Sequence, residues 1–182
     1  MKKVFIFLAE GFEETEAVAT MDVMLRSGLN VTAVSTTGKL PVTGAHGIVV
    51  DADTLFEKAD ISSADMLVLP GGMPGASNLN AHAGVKNALK QFAANGKKIA
   101  AICAAPLVLG GLDLLQGKKA TAYPGFESTL KGATYVNSPT VKDGNIITGR
   151  GPGFAFQFGL AIVEELLGKA KADEVAEGLL LK

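Results

Sequence analysis

Residues 4–35 read VFIFLAEGFEETEAVATMDVMLRSGLNVTAVS and contain a complete strand-helix-strand unit. Val4 to Ala9 is an uninterrupted apolar run, which is typical of a strand buried on both faces of a sheet. Glu14 to Ser27 has apolar residues near helical spacing, acidic residues in its first turn, and Gly28 in position to end it. Val31 to Ser35 is uncharged and returns to the strand pattern. This order predicts two parallel strands joined by a helix.

The rest of the chain continues this alternation. Three more uncharged runs predict strands, and three stretches with apolar residues at helical spacing predict helices. The strands are Met66 to Leu69, Ile99 to Ile102 and Ile146 to Thr148, and the helices are Asn78 to Asn95, Ala104 to Leu115 and Phe154 to Leu167. Gly-containing turns between Ser35 and Asp60, and again at Lys142 to Asn145, predict two antiparallel hairpins. We expect a single domain over residues 1–182, folded as a three-layer α/β/α sandwich with a mainly parallel sheet.

Composition narrows the function classes. The chain has 182 residues, 48% of them hydrophobic, with a formal net charge of -1, one cysteine and two histidines. One cysteine forms neither an internal disulfide nor a cysteine-cluster zinc site, so we expect no metal. The near-neutral charge offers no basic stripe for specific nucleic acid binding and no basic face for a membrane. Glutamates follow the N-terminal apolar run at once, which predicts a buried strand rather than a signal peptide, and hence a cytoplasmic protein.

Three strand-to-helix junctions are the places to expect a ligand, because open α/β sheets bind ligands beyond the carboxyl ends of their strands. They are LAEGFEE (residues 8–14), LPGGMPG (residues 69–75) and AICAAP (residues 101–106). The glycines of the second junction match neither the phosphate-binding loop nor the dinucleotide-binding pattern, so we expect no cofactor. The expected ligand is a small molecule.

The third junction contains the single cysteine. Cys103 lies between a predicted strand and a predicted helix that has Pro106 in its first turn. Unpaired N–H groups at a helix N-terminus favour a thiolate and lower the pKa of a cysteine, which predicts a nucleophile. The alternative is a small buried hydrophobe at a strand end. The N–H groups of Gly72 and Ala104 are candidates to stabilise a developing oxyanion, although Gly71 and Gly72 are also what a tight turn requires.

The first junction supplies candidate acids. Glu13 and Glu14 complement the positive end of the helix dipole. Glu16 lies on a different helical face, which would point into the cleft beside Cys103. Two like charges about 4 Å apart repel by about 4 kcal/mol at an effective dielectric near 20, so one member of this pair should be protonated. A neutral Glu16 that donates a hydrogen bond to a Cys103 thiolate would hold the nucleophile ready and move protons.

Four motifs at this spacing point to a family. They are LAEGFEETE (residues 8–16), VLPGG (residues 68–72), AAICAAP (residues 100–106) and TGRGPG (residues 148–153). On these motifs the chain resembles the ThiJ/PfpI superfamily, specifically its small dimeric DJ-one branch, nearly end to end. The resemblance implies a flavodoxin-like sandwich, similar to class I glutamine amidotransferases, and a homodimer without a cofactor. It also implies a reactive cysteine matching Cys103, a protonated glutamate matching Glu16, and backbone donors matching Gly72 and Ala104, with Gly71 beside them in the pocket.

Three further positions compare less closely with the family. Arg26 and His46 fall near positions where a member has arginines close to the cysteine pocket and the dimer interface, and the histidine departs from that pattern. Many members have a histidine before a proline near the cysteine, whereas this chain has Tyr123 before Pro124. Without that histidine, a papain-like peptidase is not expected. Tyr123 is either a pocket residue or a core or sheet-end tyrosine. His46 is either a pocket or a loop residue, and His82 is expected on a helix surface.

The resemblance implies an enzyme that acts on methylglyoxal, glyoxal or early glycation adducts, either a glyoxalase III-like lyase or a protein deglycase. In that role Cys103 would add to the aldehyde and Glu16 would move protons. The alternative is a non-enzymatic stress protein or chaperone that senses peroxide through Cys103. An accessible thiolate of low pKa oxidises readily, and a protonated Glu16 would hydrogen-bond the sulfinate.

Overall fold

Residues 1–181, the part of the chain that the computed structural model describes, form eleven strands and six α-helices. The strands are β1 (Lys3–Leu8), β2 (Asn30–Ser35), β3 (Pro41–Thr43), β4 (Val49–Asp51), β5 (Thr54–Leu55), β6 (Met66–Leu69), β7 (Lys98–Ile102), β8 (Lys119–Ala120), β9 (Thr134–Tyr135), β10 (Thr140–Asp143) and β11 (Ile146–Gly149). The helices are α1 (Glu14–Arg26), α2 (Gly75–Ala81), α3 (Ala83–Ala94), α4 (Pro106–Gly111), α5 (Ala155–Leu167) and α6 (Lys169–Gly178).

Seven of the strands described form one central sheet, in the order β10-β11-β7-β6-β1-β2-β5. Its neighbouring strands are parallel except β10, which pairs antiparallel with β11. The expected α/β sandwich with a mainly parallel sheet is therefore confirmed. Both predicted hairpins are present, since β3 also pairs antiparallel with β4. The short parallel pair β8-β9 and helix α6 were not predicted.

The core lies on both faces of the sheet, and β1 shows how the sequence produces it. Val4, Ile6 and Leu8 pack into the layer that contains buried residues of α1, α5 and α6. Phe5 and Phe7 pack into the opposite layer, with buried residues of α2, α3 and α4. All five side chains are buried. Because successive side chains of a strand point to opposite faces, a strand covered on both sides requires an unbroken apolar run.

The predicted helix from Asn78 to Asn95 is two helices, α2 and α3, which meet at His82. The backbone of His82 is extended, and its Nδ1 accepts the N–H of Val85 at 3.1 Å, which caps α3. Its ring lies against that of Phe56, with 4.7 Å between the ring centroids. The expectation of a solvated residue on a helix surface is therefore wrong, because His82 is half-buried between α2 and α3 and its ring contacts both Phe56 and the Val85 N–H.

The helix predicted from Ala104 to Leu115 is also shorter, since α4 ends at Gly111. Gly110 and Gly111 are poor helix formers, and Asp113 adopts a φ of 58°, which no right-handed helix accommodates. The chain therefore leaves α4 after six residues.

Candidate active site

The three junctions meet at the carboxyl ends of β1, β6 and β7, which are neighbours in the sheet. Gly71, in the β6–α2 junction, marks the meeting point. A Cβ added to Gly71 would lie 2.6 Å from the Cβ of Cys103 and 2.7 Å from Oε2 of Glu16. Gly71 is thus buried between the two side chains, and a glycine is what allows them to approach each other.

Cys103 occupies a sharp turn between β7 and α4. Its φ is 65°, an uncommon value for a residue other than glycine and one associated with strained positions at functional sites. Two backbone hydrogen bonds hold the turn: the Cys103 N–H donates to the Gly149 carbonyl at 2.9 Å, and the Cys103 carbonyl accepts the Tyr123 N–H at 2.9 Å. Cys103 is 8% exposed, so its sulfur lies at the edge of the core.

Glu16 is a fully buried carboxyl in the first turn of α1, with an exposed fraction of 0%. Its Oε2 accepts the Gly71 N–H at 2.7 Å, and the carboxyl also hydrogen-bonds the Cys103 thiol. Its Oε1 is buried and has no hydrogen-bond partner within residues 1–181. A proton on Oε1 would remove the cost of a bare buried carboxylate oxygen and make Glu16 a donor.

The two groups oppose each other's ionisation. Burial raises the pKa of Glu16 to about 7. Burial also raises the pKa of the Cys103 thiol, and the neighbouring Glu16 carboxylate raises it further. The pair therefore holds two protons below the pKa of Glu16, and above it one proton that the sulfur and the carboxyl share.

The backbone N–H groups of Gly72 and Ala104 both hydrogen-bond the sulfur of Cys103. They lower the pKa of the thiol, as the sequence predicts, but burial and Glu16 outweigh them. The expectation of a net lowered thiol pKa is corrected for this reason. Gly72 has a φ of 87°, and a Cβ there would lie 2.7 Å from the Gly11 carbonyl oxygen, so only glycine fits at this position.

A pocket of about 240 Å³ opens beside the Cys103 turn, lined by residues 123–124 and 150–154. Tyr123 lines this pocket and is 45% exposed, so it is not a core residue, and its role beside the nucleophile stays a prediction. Arg150 and Pro152 also line it; both lie in the TGRGPG motif but were not predicted as site residues. Their motif directly follows β11, the strand that pairs with β7, so the rule of searching strand ends would have pointed to them.

A model of the DJ-1/PfpI family, compared with this sequence, matches residues 2–165. The chain belongs to the DJ-1/PfpI family. A relative from Arabidopsis thaliana, named Protein DJ-1 homolog A, is 45% identical over 184 residues, which cover 100% of this chain and 47% of the relative. The chain therefore spans about half the length of that plant protein. A protein from Pyrococcus abyssi that is named a deglycase is 35% identical over 154 residues, covering 83% of this chain and 91% of the relative.

Solved structures agree with the DJ-1/PfpI assignment. A cysteine-to-alanine mutant of a DJ-1 superfamily protein from Salmonella typhimurium superposes with a TM-score of 0.94 at 36% identity, covering 99% of this chain and 98% of that one. Drosophila melanogaster DJ-1beta gives a TM-score of 0.94 at 40% identity, covering 98% of this chain and 97% of that one. The fold of the family thus extends over nearly the whole chain.

Two residues expected near the pocket of this DJ-1/PfpI chain lie elsewhere. Arg26 is in the last turn of α1, where its Nε pairs with Oδ2 of Asp22 at 2.7 Å. Ten residues of helix separate it from Glu16, which is about 15 Å at 1.5 Å per residue. His46 is a loop residue between β3 and β4, and its exposed ring hydrogen-bonds Glu14 rather than Cys103. The expectation of either residue in the cysteine pocket is therefore wrong.

Glu13, Glu14 and His46 each offer one ligand atom, and these atoms lie within 4.8 Å of one another. Hydrogen bonds within the chain explain this cluster. Glu13 caps α1 by accepting the Glu16 N–H at 2.6 Å, and Oε1 of Glu14 accepts the His46 N–H at 2.6 Å. Burial opposes the ionisation of Glu14, but hydrogen bonds from His46 and from backbone N–H groups, including that of Ile48, together outweigh it and lower the pKa of that carboxyl. The bond to Glu14 in turn raises the pKa of His46.

Within residues 1–181, none of the helices of this DJ-1/PfpI chain combines the length and the apolar character that crossing a bilayer requires.

Proposed function

We propose that this chain is a cofactor-independent cysteine enzyme that acts on small reactive carbonyls. The reaction is of the glyoxalase or deglycase type, on methylglyoxal, glyoxal or early glycation adducts. One observation carries the proposal: the buried Glu16 carboxyl hydrogen-bonds the Cys103 thiol, while the N–H groups of Gly72 and Ala104 reach the same sulfur. The deglycase name of the Pyrococcus abyssi relative supports the reaction class.

The nucleophile forms by transfer of the one proton that the pair holds. When this proton moves from the sulfur to Glu16, the Cys103 thiolate gains the hydrogen bonds from Gly72 and Ala104. The thiolate then adds to the aldehyde carbon of methylglyoxal, forming a C–S bond and an alkoxide. The same two N–H groups stabilise the alkoxide, because the oxygen of a carbonyl that is attacked by the sulfur comes close to these groups as well. Glu16 returns its proton to give the neutral hemithioacetal.

The second half of the reaction is an internal oxidation and reduction. Glu16, now ionised, takes the proton from C1 of the hemithioacetal, and the resulting enediolate is protonated at C2. C1 is thereby oxidised to a thioester and C2 is reduced to an alcohol, with no external electron acceptor. Water hydrolyses the thioester to lactate and restores the Cys103 thiol. Methylglyoxal plus water thus gives lactate and one proton, and the atoms, charges and electrons balance.

The histidines of the chain do not serve this chemistry. His46 is bonded to Glu14, and His82 caps α3. A peptidase with an imidazole base is therefore not supported, and Glu16 is the proton-transfer group that contacts the nucleophile. Tyr123 lines the neighbouring pocket and is bonded to Cys103 through its backbone.

The test is the stoichiometric conversion of methylglyoxal to lactate by purified protein. Wild type, C103S and a no-protein control are compared, with adduct reversal by the buffer measured separately. We expect many lactate molecules per wild-type chain and none above the control for C103S. Aldehyde loss of one equivalent per cysteine would refute turnover, and would leave the redox-sensing stress protein or chaperone as the next hypothesis to test.

We also propose that the chain acts as a homodimer through one face of α1 and the β3–β4 hairpin. Apolar side chains on this face are exposed: Val18 and Leu25 on α1, and Ile48 and Val49 on the hairpin. A groove of about 300 Å³ between α1 and β4 continues the surface. Light scattering should give twice the chain mass, and I48E together with L25E should give the single mass; a wild-type monomer at micromolar concentration would refute the dimer.

A further inference from the structure

Arg150 is the one charged residue among those that line the pocket beside Cys103. Its Nε is buried and has no hydrogen-bond partner within residues 1–181. Over the same residues, none of the ion pairs involves its guanidinium. A guanidinium carries five N–H donors and is always charged, so a buried donor without an acceptor is a cost to the folded chain.

The other arginine of the chain shows the contrast. Arg26 is exposed and pairs with Asp22 at 2.7 Å, as surface arginines commonly do. Arg150 instead lies in a wall whose other members are tyrosine, proline, glycine and phenylalanine. A charge beside apolar groups interacts more strongly with an anion than a charge in water does. The pocket thus has one cation and no anion of its own to pair with it.

The backbone fixes Arg150 close to the nucleophile. It directly follows Gly149, whose carbonyl accepts the Cys103 N–H at 2.9 Å. The Arg150 N–H donates to the Pro139 carbonyl at 3.0 Å, which ties this segment to the residue before β10. The pocket that Arg150 lines therefore lies next to the turn that carries the sulfur.

We propose that Arg150 is a specificity-determining residue that binds a carboxylate on the substrate. The preferred substrates are then dicarbonyl compounds, or their adducts, that carry a carboxylate in addition to the two carbonyls that the reaction uses. Arginine suits this role because its planar fork matches the two oxygens of a carboxylate. This inference rests on the proposed function in one respect, that the carbonyl in this pocket is the one that Cys103 attacks.

Pyruvate and pyruvamide test the inference without any turnover. Pyruvate has the carbon skeleton of methylglyoxal with a carboxylate in place of the aldehyde, and pyruvamide is its uncharged counterpart. Binding to wild type, R150M and R26M is measured by calorimetry or ligand-observed NMR. We expect wild type and R26M to bind pyruvate at least tenfold more tightly than pyruvamide, and R150M to lose this preference. R150K, which keeps the charge but not the fork, should keep part of it.

Equal binding of the two ligands to wild type, or an unchanged preference in R150M, would overturn the role of Arg150. If R150M does not fold, wild type alone decides. Pyruvate binding should then weaken with added salt while pyruvamide binding does not, and a preference insensitive to salt counts against the inference. Failure of the proposed function would give a different result, because wild type would then not convert methylglyoxal to lactate, whatever its binding of pyruvate.

Discussion

Replacing Gly72 by alanine should damage both stability and turnover. Gly72 has a φ of 87°, and a residue with a Cβ pays about 1–2 kcal/mol in this left-handed region. The added Cβ would also lie 2.7 Å from the Gly11 carbonyl oxygen and 2.8 Å from the Phe12 carbonyl carbon. These are backbone atoms of the β1–α1 junction, so relief requires a backbone shift that costs about 1–3 kcal/mol. We expect a total loss of about 2–5 kcal/mol in the free energy of unfolding.

Gly28 provides the matched control. Its φ is 85°, nearly the same, but a Cβ there would meet nothing within 4 Å. G28A should therefore cost about 1–2 kcal/mol, from the backbone conformation alone. The difference between the two variants, about 1–3 kcal/mol, isolates the collision at Gly72 and corresponds to a Tm lower by roughly 2–12 °C in a chain of this size.

Thermal unfolding and methylglyoxal turnover are the two assays. Because the shift moves one of the two N–H groups that reach the Cys103 sulfur, G72A should lose about 10²–10³-fold in turnover while G28A keeps wild-type activity. A G72A variant with the same Tm as G28A and the same turnover as wild type would refute the reasoning. It would show that the contact between the two junctions fixes neither the backbone at Gly72 nor the position of the Gly72 N–H.

Three further predictions concern the carboxyls. E16D retracts the carboxyl from the Gly71 N–H, so turnover should fall at least 100-fold while iodoacetamide still alkylates Cys103 within a few-fold of the wild-type rate; equal losses in both assays would count against a proton-transfer role. The pKa of Glu16 is about 7 in the folded chain against 4.5 for the free side chain, so the folded state binds the extra proton and is stabilised at low pH. The free energy of unfolding should therefore fall by about 3 kcal/mol from pH 4.5 to pH 7 and stay lower above it, and in denaturant titrations C103A should show this fall and C103A/E16Q should not. E14A should cost about 1–3 kcal/mol, because it leaves the backbone N–H groups of His46 and Ile48 without their acceptor, whereas H46A keeps both backbone donors and should cost less; equal losses in thermal unfolding would contradict this reading.

The central strands could be predicted because the feature that defines them, a run of apolar residues, lies within a short stretch of sequence. A strand covered on both faces needs an apolar run, and β1, β6 and β7 each have one. The break between α2 and α3 could not be predicted in this way. The apolar pattern continues through His82, and the causes of the break are its ring contact with Phe56 and its cap on Val85. The first of these joins residues far apart in the sequence, which a periodic pattern does not record.

The candidate site residues that follow a predicted strand could be found from the sequence. Cys103, Glu16 and Gly72 all follow strands, and the sheet places those strands side by side. The position of Arg26 could have been excluded from the sequence alone, because Arg26 and Glu16 lie ten residues apart on one predicted helix and are therefore far from each other. Arg150 also follows a strand, but its place beside the Cys103 turn depends on β11 pairing with β7, a contact between distant parts of the chain.

The pKa of the Cys103 thiol depends both on local structure and on contacts between distant parts of the chain. The helix N-terminus after Cys103 is local, and its N–H groups favour the thiolate as the sequence predicts. Burial and the Glu16 carboxyl come from the packing of separate elements, and they act in the opposite direction. A thiolate therefore forms when Glu16 takes the proton, which ties the nucleophile to a carboxyl that prefers to be neutral. The same preference lowers stability as pH rises towards 7, so a single buried proton links the proposed chemistry of this site to the stability of the fold.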